Sequence, residues 1–450
     1  MMNQERILDI LIYINPTNCA FSESIEQLKY NSGINLDFQK YTFENYHPSS
    51  ITLCINLSDG CNLKCDYCFN SLKSGKSIDL KMVETFLENM FNKYPSKEKY
   101  YVDLSGKGEP LLFLDKILKI KKMCNVFSNK LNREVLVSFV CNGTLLSKEV
   151  ANILQKNGIL FGVSLDGNKY IHNLHRKDKY GNDTYDTIID NIKNIDCRDY
   201  IGCATTLTKD VFSLVDSIKE LGEVFNTISY KPARNCDDAI NEDSINDWLE
   251  EYNKLVLFLL NESINNNNSY VIKLLNGDDY FAKFLKRILL GQRVLIRCDG
   301  GLSRITLDND GNLYTCPSAF GNEKFNIGTY NCIEEKKQIK MLDNQNAKDY
   351  CSSCSVRYLC GGECMIEKEL SNGHNKVMCK YKKHLILLAI YFVYKLSIFN
   401  PNSLKKLIDF SIEVNSRRML DNQLMEFLKN NPQYNFIEGK EVFDSFNKRY

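Results

Sequence analysis

Residues 51–68 read ITLCINLSDGCNLKCDYC, a β-rich run followed closely by three cysteines. Ile51–Leu57 predicts a buried strand, and Cys61, Cys65 and Cys68 fall in the loop after it. Three thiolates hold three irons of a [4Fe–4S] cube and leave the fourth iron open to another ligand. A structural zinc site is the alternative, but zinc prefers four closed ligands, and no fourth Cys or His lies near in sequence.

The chain around this stretch alternates short β-rich runs with segments of helical period. The strand candidates are Ile51–Leu57, Tyr100–Leu104, Glu134–Val140, Leu160–Ser164, Ile201–Leu207 and Thr227–Lys231. Between them, Val83, Phe86, Leu87, Met90 and Phe91 share one helical face, with Asp79 as the N-cap. Six strands alternating with helices predict an α/β fold of parallel βαβ units, wound as a barrel or as an open sheet. In such folds the ligand lies at the carboxyl ends of the strands, where every motif described here falls.

Composition indicates a multidomain globular protein rather than a nucleic-acid or membrane protein. The 450 residues are 44% hydrophobic and 25% charged, with a net charge of +1. Glu5 and Asp9 interrupt the apolar N-terminal stretch, which argues against a signal peptide. The longest apolar run, Leu385 to Tyr394, is too short to span a bilayer and predicts a buried helix. We therefore expect a cytoplasmic protein, in which clustered cysteines indicate metal more often than disulfides.

The run CNLKCDYCFN resembles the CxxxCxxC signature of the radical S-adenosylmethionine (SAM) superfamily. The resemblance implies a partial (β/α)6 barrel in which SAM chelates the open iron of the cluster. It also implies that the reduced cluster cleaves SAM to a 5′-deoxyadenosyl radical, which abstracts a hydrogen atom from the substrate. Tyr67 is expected against the adenine, with a core aromatic as the alternative.

Three more segments resemble motifs of this superfamily. Gly108, Glu109 and Pro110 resemble the GEP part of its GGEP motif, which holds the SAM amino group, whereas Lys107 replaces the first Gly. Ser164 and Asp166 in SLDG resemble the element that contacts the SAM carboxylate and ribose. Asn142 lies in Cys-Asn-Gly-Thr, which resembles a TNG element. Arg176 either meets a carboxylate or is solvated, and the five histidines form no ligand pair.

The later cysteines resemble the SPASM extension found in part of this superfamily. The pattern consists of Cys298, Gly311-x4-Cys316, a CX2CX5CX3C run and a last cysteine. The resemblance assigns one auxiliary cluster to Cys351, Cys354, Cys360 and Cys379, and the other to Cys298, Cys316 and Cys364. Both clusters are expected to be [4Fe–4S], and a zinc ribbon is the alternative. Cys332 is the nearest candidate for a fourth ligand of the second cluster; without one, its open iron would suit a substrate thiolate.

These patterns divide the chain into five parts. We expect an N-terminal extension at 1–50 that binds a leader peptide or caps the barrel, with a short helix at Ser22–Tyr30. The radical SAM core then covers 51–235, a helical linker 236–295, the SPASM domain 296–384 and a helical tail 385–450.

Three functions fit this organisation. The first, which the sequence favours, is a maturase of the ranthipeptide or sactipeptide type that crosslinks a ribosomally made precursor peptide, most simply by a thioether; the other two are alternatives. The second is an anaerobic sulfatase-maturating enzyme that forms formylglycine. In the third, the clusters serve only electron transfer. Sulfatase-maturating relatives place an Asp directly after the Gly-x4-Cys cysteine, where this chain has Pro317. We expect a peptide substrate and a small redox protein as electron donor.

Overall fold

The protein comprises two compact units that are each discontinuous in sequence. The computed structural model describes residues 3–14, 21–22, 48–70, 75–195, 201–234, 236–277, 279–346, 349–351, 353–371 and 373–418. The first unit, here called the sheet unit, combines Pro48–Ser244 with Asp299–Asn344. The second, here called the helical unit, combines Met1–His47, Ile245–Cys298 and Gln345–Tyr450.

A ten-stranded sheet forms the centre of the sheet unit. Its strands are β4 Ser50–Ile55, β5 Lys99–Asp103, β6 Val135–Cys141, β7 Ile159–Ser164, β8 Gly202–Leu207, β9 Thr227–Pro232, β10 Arg304–Leu307, β11 Asn312–Tyr314, β12 Asn326–Thr329 and β13 Cys332–Ile333. Strands β4 to β9 are parallel and lie side by side in chain order. β10 adds to β4 in parallel, and the antiparallel strands β11 to β13 follow it. All the parallel carboxyl ends therefore meet at one edge.

Side-chain alternation explains why these segments are half-buried strands. In β6, Val135, Val137 and Phe139 are buried, whereas the residues between them are partly or largely exposed. The apolar set packs on the helix-bearing face, because successive strand side chains point to opposite faces. The other face carries small or polar side chains near the strand ends, including Ser138 and Ser164.

Amphipathic helices connect the parallel strands. They are α1 Leu80–Lys93, α2 Leu114–Leu131, α3 Lys148–Lys156, α4 Lys169–His175, α5 Tyr185–Lys193 and α6 Leu214–Val224. Asp79 caps α1 as expected, since its side chain accepts a hydrogen bond from the Lys81 amide. α10, Glu335–Asn346, follows the last strand of the sheet.

The helical unit contains a small antiparallel sheet and seven helices among its described residues. The strands are β1 Asn3–Ile7, β2 Ile10–Ile14 and β3 Phe21–Ser22. The helices are α7 Ile245–Ile264, α8 Ser269–Asn276, α9 Tyr280–Leu289, α11 Arg357–Cys360, α12 Met365–Leu370, α13 Lys376–Phe399 and α14 Pro401–Arg418. Trp248, Tyr252 and Tyr381 are fully buried, and the Tyr381 and Tyr252 hydroxyls lie 2.8 Å apart.

The predicted α/β class and its strands are confirmed, and the winding is an open sheet, with no pairing of β9 to β13 in the described chain. The apolar run Leu385 to Tyr394 lies within α13, mostly buried, and no described helix is long and apolar enough to cross a bilayer. Ser22 belongs to a strand rather than to the predicted helix, and 23–30 lie outside the described residues, as do 419–450. The five-part division remains a prediction.

Candidate active site

The three-cysteine loop follows β4 and is held against the segment after α4. The Lys64 amide donates to the Lys177 carbonyl at 2.8 Å, and the Asp66 amide donates to the His175 carbonyl at 3.2 Å. A local turn, Cys68 N–H to the Cys65 carbonyl at 3.2 Å, shapes the loop end. These backbone bonds fix the loop at the carboxyl edge of the parallel strands.

The thiols of Cys61, Cys65 and Cys68 lie near enough to influence each other. Burial raises the pKa of Cys65 to about 11; the neighbouring Cys68 and Cys61 raise it further, and the Arg176 charge opposes them. All three side chains are partly exposed. Among the described residues, no three His, Cys, Asp or Glu side chains already surround a common metal position. The donor set, three thiols in one fixed loop, fits an iron–sulfur cluster once the thiols turn toward it.

The GEP turn packs directly on the start of this loop, and two glycines make the contact possible. A Cβ on Gly108, whose φ is +74°, would meet the Gly60 and Ser58 carbonyl oxygens at 2.4 and 2.6 Å. A Cβ on Gly106 would meet the Asn56 side-chain oxygen at 2.3 Å. Lys107 stands between them, with its ammonium 5.2 Å from the centre of the Phe320 ring.

Glu109 joins two of the motif turns through its buried carboxylate. One oxygen accepts a hydrogen bond from the Leu111 amide at 3.0 Å, and the other accepts one from the Asn142 amide at 2.7 Å. Burial raises the pKa of Glu109 to about 7, although both amides favour the ionised form. The GEP and Cys-Asn-Gly-Thr turns are therefore coupled through one titratable group.

Asn142 also connects to the cysteine loop. Its side-chain amide donates to the Asn62 oxygen at 2.7 Å, and the Asn62 amide donates to the Thr144 hydroxyl at 2.8 Å. The Thr144 hydroxyl in turn donates to the Asn142 oxygen at 2.7 Å. This closed cycle ties the residue after Cys61 to the end of β6.

Asp166 lies in a buried ionic cluster with Tyr67 and Arg176. Its carboxylate accepts from the Arg176 Nε at 2.8 Å, from the Tyr67 hydroxyl and from the Thr206 amide at 2.8 Å. Burial opposes ionisation, but the Arg176 charge and the hydrogen bonds hold the pKa of Asp166 below its ordinary value. Arg176 also lies over the Tyr67 ring at 5.3 Å. The Asp166 carboxylate and the Tyr67 hydroxyl therefore both form hydrogen bonds with other groups of the protein.

The two histidines of α4 have structural partners in this region. His172 Nδ1 accepts from the Asp166 amide, and its Nε2 lies 3.0 Å from the Thr184 hydroxyl. Burial lowers the pKa of His172 to about 4, which keeps the ring neutral. His175 lies 3.1 Å from the Thr208 hydroxyl and 3.2 Å from an Asp210 oxygen. Neither histidine forms a ligand pair.

A cavity of about 220 Å³ opens where these turns converge. The residues that line it come from the cysteine loop, the GEP turn and the ends of β6 and β7: Cys68, Phe69, Asn70, Ser105, Gly106, Lys107, Gly108, Pro110, Val140 and Ser164. Of the seven cofactor residues expected from the sequence, Gly108, Pro110 and Ser164 line this cavity. Tyr67, Glu109, Asn142 and Asp166 are buried and bonded behind it.

A polar cluster that sequence reasoning missed lies on the sheet face that carries Ser138. Arg304 of β10 lies 3.6 Å from the Asp103 carboxylate and 3.1 Å from the Cys54 sulfur. The cluster depends on the parallel pairing of β10 with β4, which brings together residues about 250 positions apart in sequence. No local sequence pattern predicts such a strand pairing.

The helical unit contains all four cysteines assigned to one auxiliary cluster. Burial raises the pKa of the Cys379 thiol; the Lys382 charge lowers it, and Cys360 and Cys354 raise it further. Cys351 ends a short 3-10 turn, and the Cys354 amide donates to the Cys351 carbonyl at 3.1 Å. Four thiols in one unit match the ligand number of a fully ligated iron–sulfur cluster.

The remaining assigned cysteines belong to different units. Cys298 and Cys364 are in the helical unit, whereas Cys316 follows β11 in the sheet unit. Cys332 is exposed on β13. The metal ligands named from the sequence therefore remain predictions.

Comparison with known proteins matches residues 55–208 to the family model of the radical SAM superfamily. The cysteine-type anaerobic sulfatase-maturating enzyme of Clostridium perfringens is 26% identical over 338 residues, covering 68% of this chain and 86% of that protein. The serine-type anaerobic sulfatase-maturating enzyme of Klebsiella aerogenes is 20% identical over 329 residues, covering 68% and 78%.

Solved structures show the same fold. Native anSMEcpe with bound AdoMet has a TM-score of 0.63 at 21% identity and covers 78% of this chain and 99% of that one. Streptococcus suis SuiB bound to precursor peptide SuiA has a TM-score of 0.52 at 14% identity, covering 81% and 94%. At these identities the likeness shows the fold alone.

Proposed function

We propose that the chain is a radical SAM maturase of the SPASM-containing type and that it oxidises a cysteine or serine side chain in a polypeptide. The favoured product is formylglycine, as formed by anaerobic sulfatase-maturating enzymes. The observation that carries this choice is the similarity to the Clostridium perfringens enzyme, which spans 68% of this chain. This similarity favours formylglycine formation over peptide crosslinking, the reaction that the sequence alone favoured.

The proposed cofactors are a [4Fe–4S] cluster on Cys61, Cys65 and Cys68, with SAM in the adjoining cavity. When bound, they supply an oxidant able to remove a hydrogen atom from an unactivated carbon. The protein's part is to orient the cofactors and exclude water. Ser164 and the Gly108 turn line the cavity, and the buried Glu109 and Asp166 hold the surrounding turns in place.

Peptide crosslinking remains a second candidate because of one local feature. Pro317 directly follows Cys316 and begins a 3-10 turn, so this position has no carboxylate to act as a base. Streptococcus suis SuiB, which binds its precursor peptide SuiA, shares the fold. A thioether crosslink retains the sulfur and removes two hydrogens, whereas formylglycine formation from cysteine releases the sulfur.

The test uses anaerobically reconstituted full-length protein, SAM and a reductant. The probes are a sulfatase-derived peptide with its target cysteine and the same peptide with serine or alanine there. We expect SAM cleavage to 5′-deoxyadenosine and an aldehyde that reacts with a hydrazide reagent on the cysteine or serine peptide. A product that keeps its sulfur and loses two hydrogens would instead establish crosslinking. The triple Cys61/Cys65/Cys68→Ala variant is the control, and SAM cleavage by it would contradict the proposed site.

A further inference from the structure

Lys382 is a buried cation next to the four-cysteine cluster of the helical unit. It lies three residues after Cys379 on α13, and only 2% of its surface is exposed. Its ammonium donates to the Gly362 carbonyl at 3.5 Å, and within the described residues it forms no ion pair. Burying an ammonium with one long hydrogen bond is costly, because the lost hydration is barely replaced.

The Gly362 carbonyl places this ammonium beside a cysteine sulfur. The Cys360 sulfur lies 3.5 Å from the same carbonyl oxygen that Lys382 contacts. Cys379 lies one helical turn before Lys382, and the Lys382 charge lowers the pKa of the Cys379 thiol against the larger effect of burial. Two of the four cysteines therefore flank the buried ammonium.

The nearby carboxylates bind other groups. Glu363 accepts hydrogen bonds from the Asn375 amide and the Tyr350 hydroxyl, each at 2.5 Å. Glu367 lies 3.6 Å from Arg297. Neither is at ion-pair distance from Lys382. Burial and the Arg297 charge lower the pKa of Lys382, and the charges of Cys360, Glu367 and Glu363 oppose that effect. An anionic cluster at the cysteines would add a compensating charge beside the ammonium.

A purely structural buried lysine is the competing explanation, and the same unit provides an example. Lys286 is 7% exposed, and its ammonium donates to the Leu275 carbonyl at 3.0 Å. That bond is shorter than the Lys382 contact, and its acceptor lies in α8, a helix that contains no cysteine. Lys286 is thus a matched control for burial and charge.

We propose that Lys382 is a positioning residue for the auxiliary cluster held by Cys351, Cys354, Cys360 and Cys379, donating a hydrogen bond to sulfur and raising the cluster's reduction potential. A cluster with four thiolate ligands is anionic, and reduction adds a further negative charge. A buried cation beside it therefore favours the reduced form, in the way that hydrogen bonds to sulfur tune such clusters. The inference requires the auxiliary cluster predicted from the sequence, and it does not depend on which peptide reaction the proposed function performs.

The experiment compares reconstituted wild type, Lys382→Met and Lys286→Met by iron and sulfide content and by redox titration followed with electron paramagnetic resonance. We expect Lys382→Met to keep its iron and to shift one cluster to a lower midpoint potential. Lys286→Met should leave every midpoint unchanged, and Lys382→Arg should return the shifted midpoint toward wild type. If Lys382→Met loses iron, Lys382→Gln takes its place in the titration.

An unchanged midpoint in the iron-loaded Lys382 variant would overturn the inference, as would an equal shift in Lys286→Met. Wild-type protein without iron at the four cysteines would also overturn it. Failure of the proposed function looks different: the peptide stays unmodified while the Lys382-dependent shift persists.

Discussion

Glu109 shows how a single buried group makes stability depend on pH. Burial raises its pKa from 4.5 to about 7, so the folded protein holds this proton more tightly than the unfolded chain does. Its contribution is therefore fully present below about pH 4.5 and is lost as the pH rises toward 7. We expect the free energy of unfolding to fall across this window by up to about 3 kcal/mol, and Glu109→Gln to remove that fall.

Urea unfolding at several pH values measures this effect. The control is Glu149→Gln, because Glu149 is solvent-exposed in the first turn of α3 and a hydrogen bond with Ser147 lowers its pKa. That variant should keep the fall between about pH 4.5 and 7. A fall of the same size in Glu109→Gln would show that another group is responsible.

Arg176 neutralises a fully buried carboxylate, so removing it should be severe. Arg176→Met leaves the Asp166 charge buried without its cation, a situation that costs about 3–5 kcal/mol in proteins. The matched change is Lys177→Met, which breaks the exposed pair with Asp183 and should cost about 0–1 kcal/mol. An equal loss of unfolding free energy in the two variants, measured by chemical denaturation, would show that the buried pair stabilises the fold no more than the exposed pair does.

The Arg176 pairing also marks where sequence reasoning ends at the residue scale. The Ser-Leu-Asp-Gly motif indicated Asp166, but its partner depends on α4, which returns the chain so that residue 176 reaches residue 166. The sequence alone does not predict where a side chain at the end of a helix points. The motif residues were thus found, whereas their internal bonding was not.

At the scale of elements, the GEP turn needs glycine for both conformation and space. Gly108→Ala combines a left-handed backbone with a Cβ placed 2.4 Å from the Gly60 carbonyl oxygen. Gly75→Ala has nearly the same φ, +75°, but no atom within 4 Å of the added Cβ. We expect Gly75→Ala to cost about 1–2 kcal/mol from backbone strain alone. Gly108→Ala should cost more and should weaken SAM binding, because the turn must move away from the cysteine loop.

Calorimetric SAM binding and thermal unfolding of the two glycine variants test this point. SAM affinity equal to wild type in Gly108→Ala would show that the turn does not shape the cofactor cavity. Space also explains why a lysine fits between the two glycines. The Lys107 side chain extends toward the Phe320 ring and not toward the cysteine loop.

The strands were predictable because their patterns are local. A short β-rich run predicted the strand Thr227–Lys231, for example, and the observed strand is Thr227–Pro232. The strand that begins at Arg304 adds to β4 in parallel, and no local pattern predicts that addition. Pairing across such a distance is decided by tertiary packing rather than by local propensity.

For the whole molecule, the division into two units predicts that cluster binding is separable. Cys61, Cys65 and Cys68 lie in the sheet unit, whereas Cys351, Cys354, Cys360 and Cys379 lie in the helical unit. Each set is fixed by local backbone bonds in its own unit, such as those of Lys64 and of Cys354. Alanine substitution of either set should therefore remove about four irons and leave the other set loaded.

Iron and sulfide analysis of the two multiple variants, together with electron paramagnetic resonance, checks this separation. The variant without Cys61, Cys65 and Cys68 should lose SAM cleavage but keep the signal that Lys382 influences. The variant without the four later cysteines should still cleave SAM without peptide and should fail to modify the peptide. Loss of all iron in either variant would contradict separate binding, because it would mean that one cluster is needed for the other unit to fold.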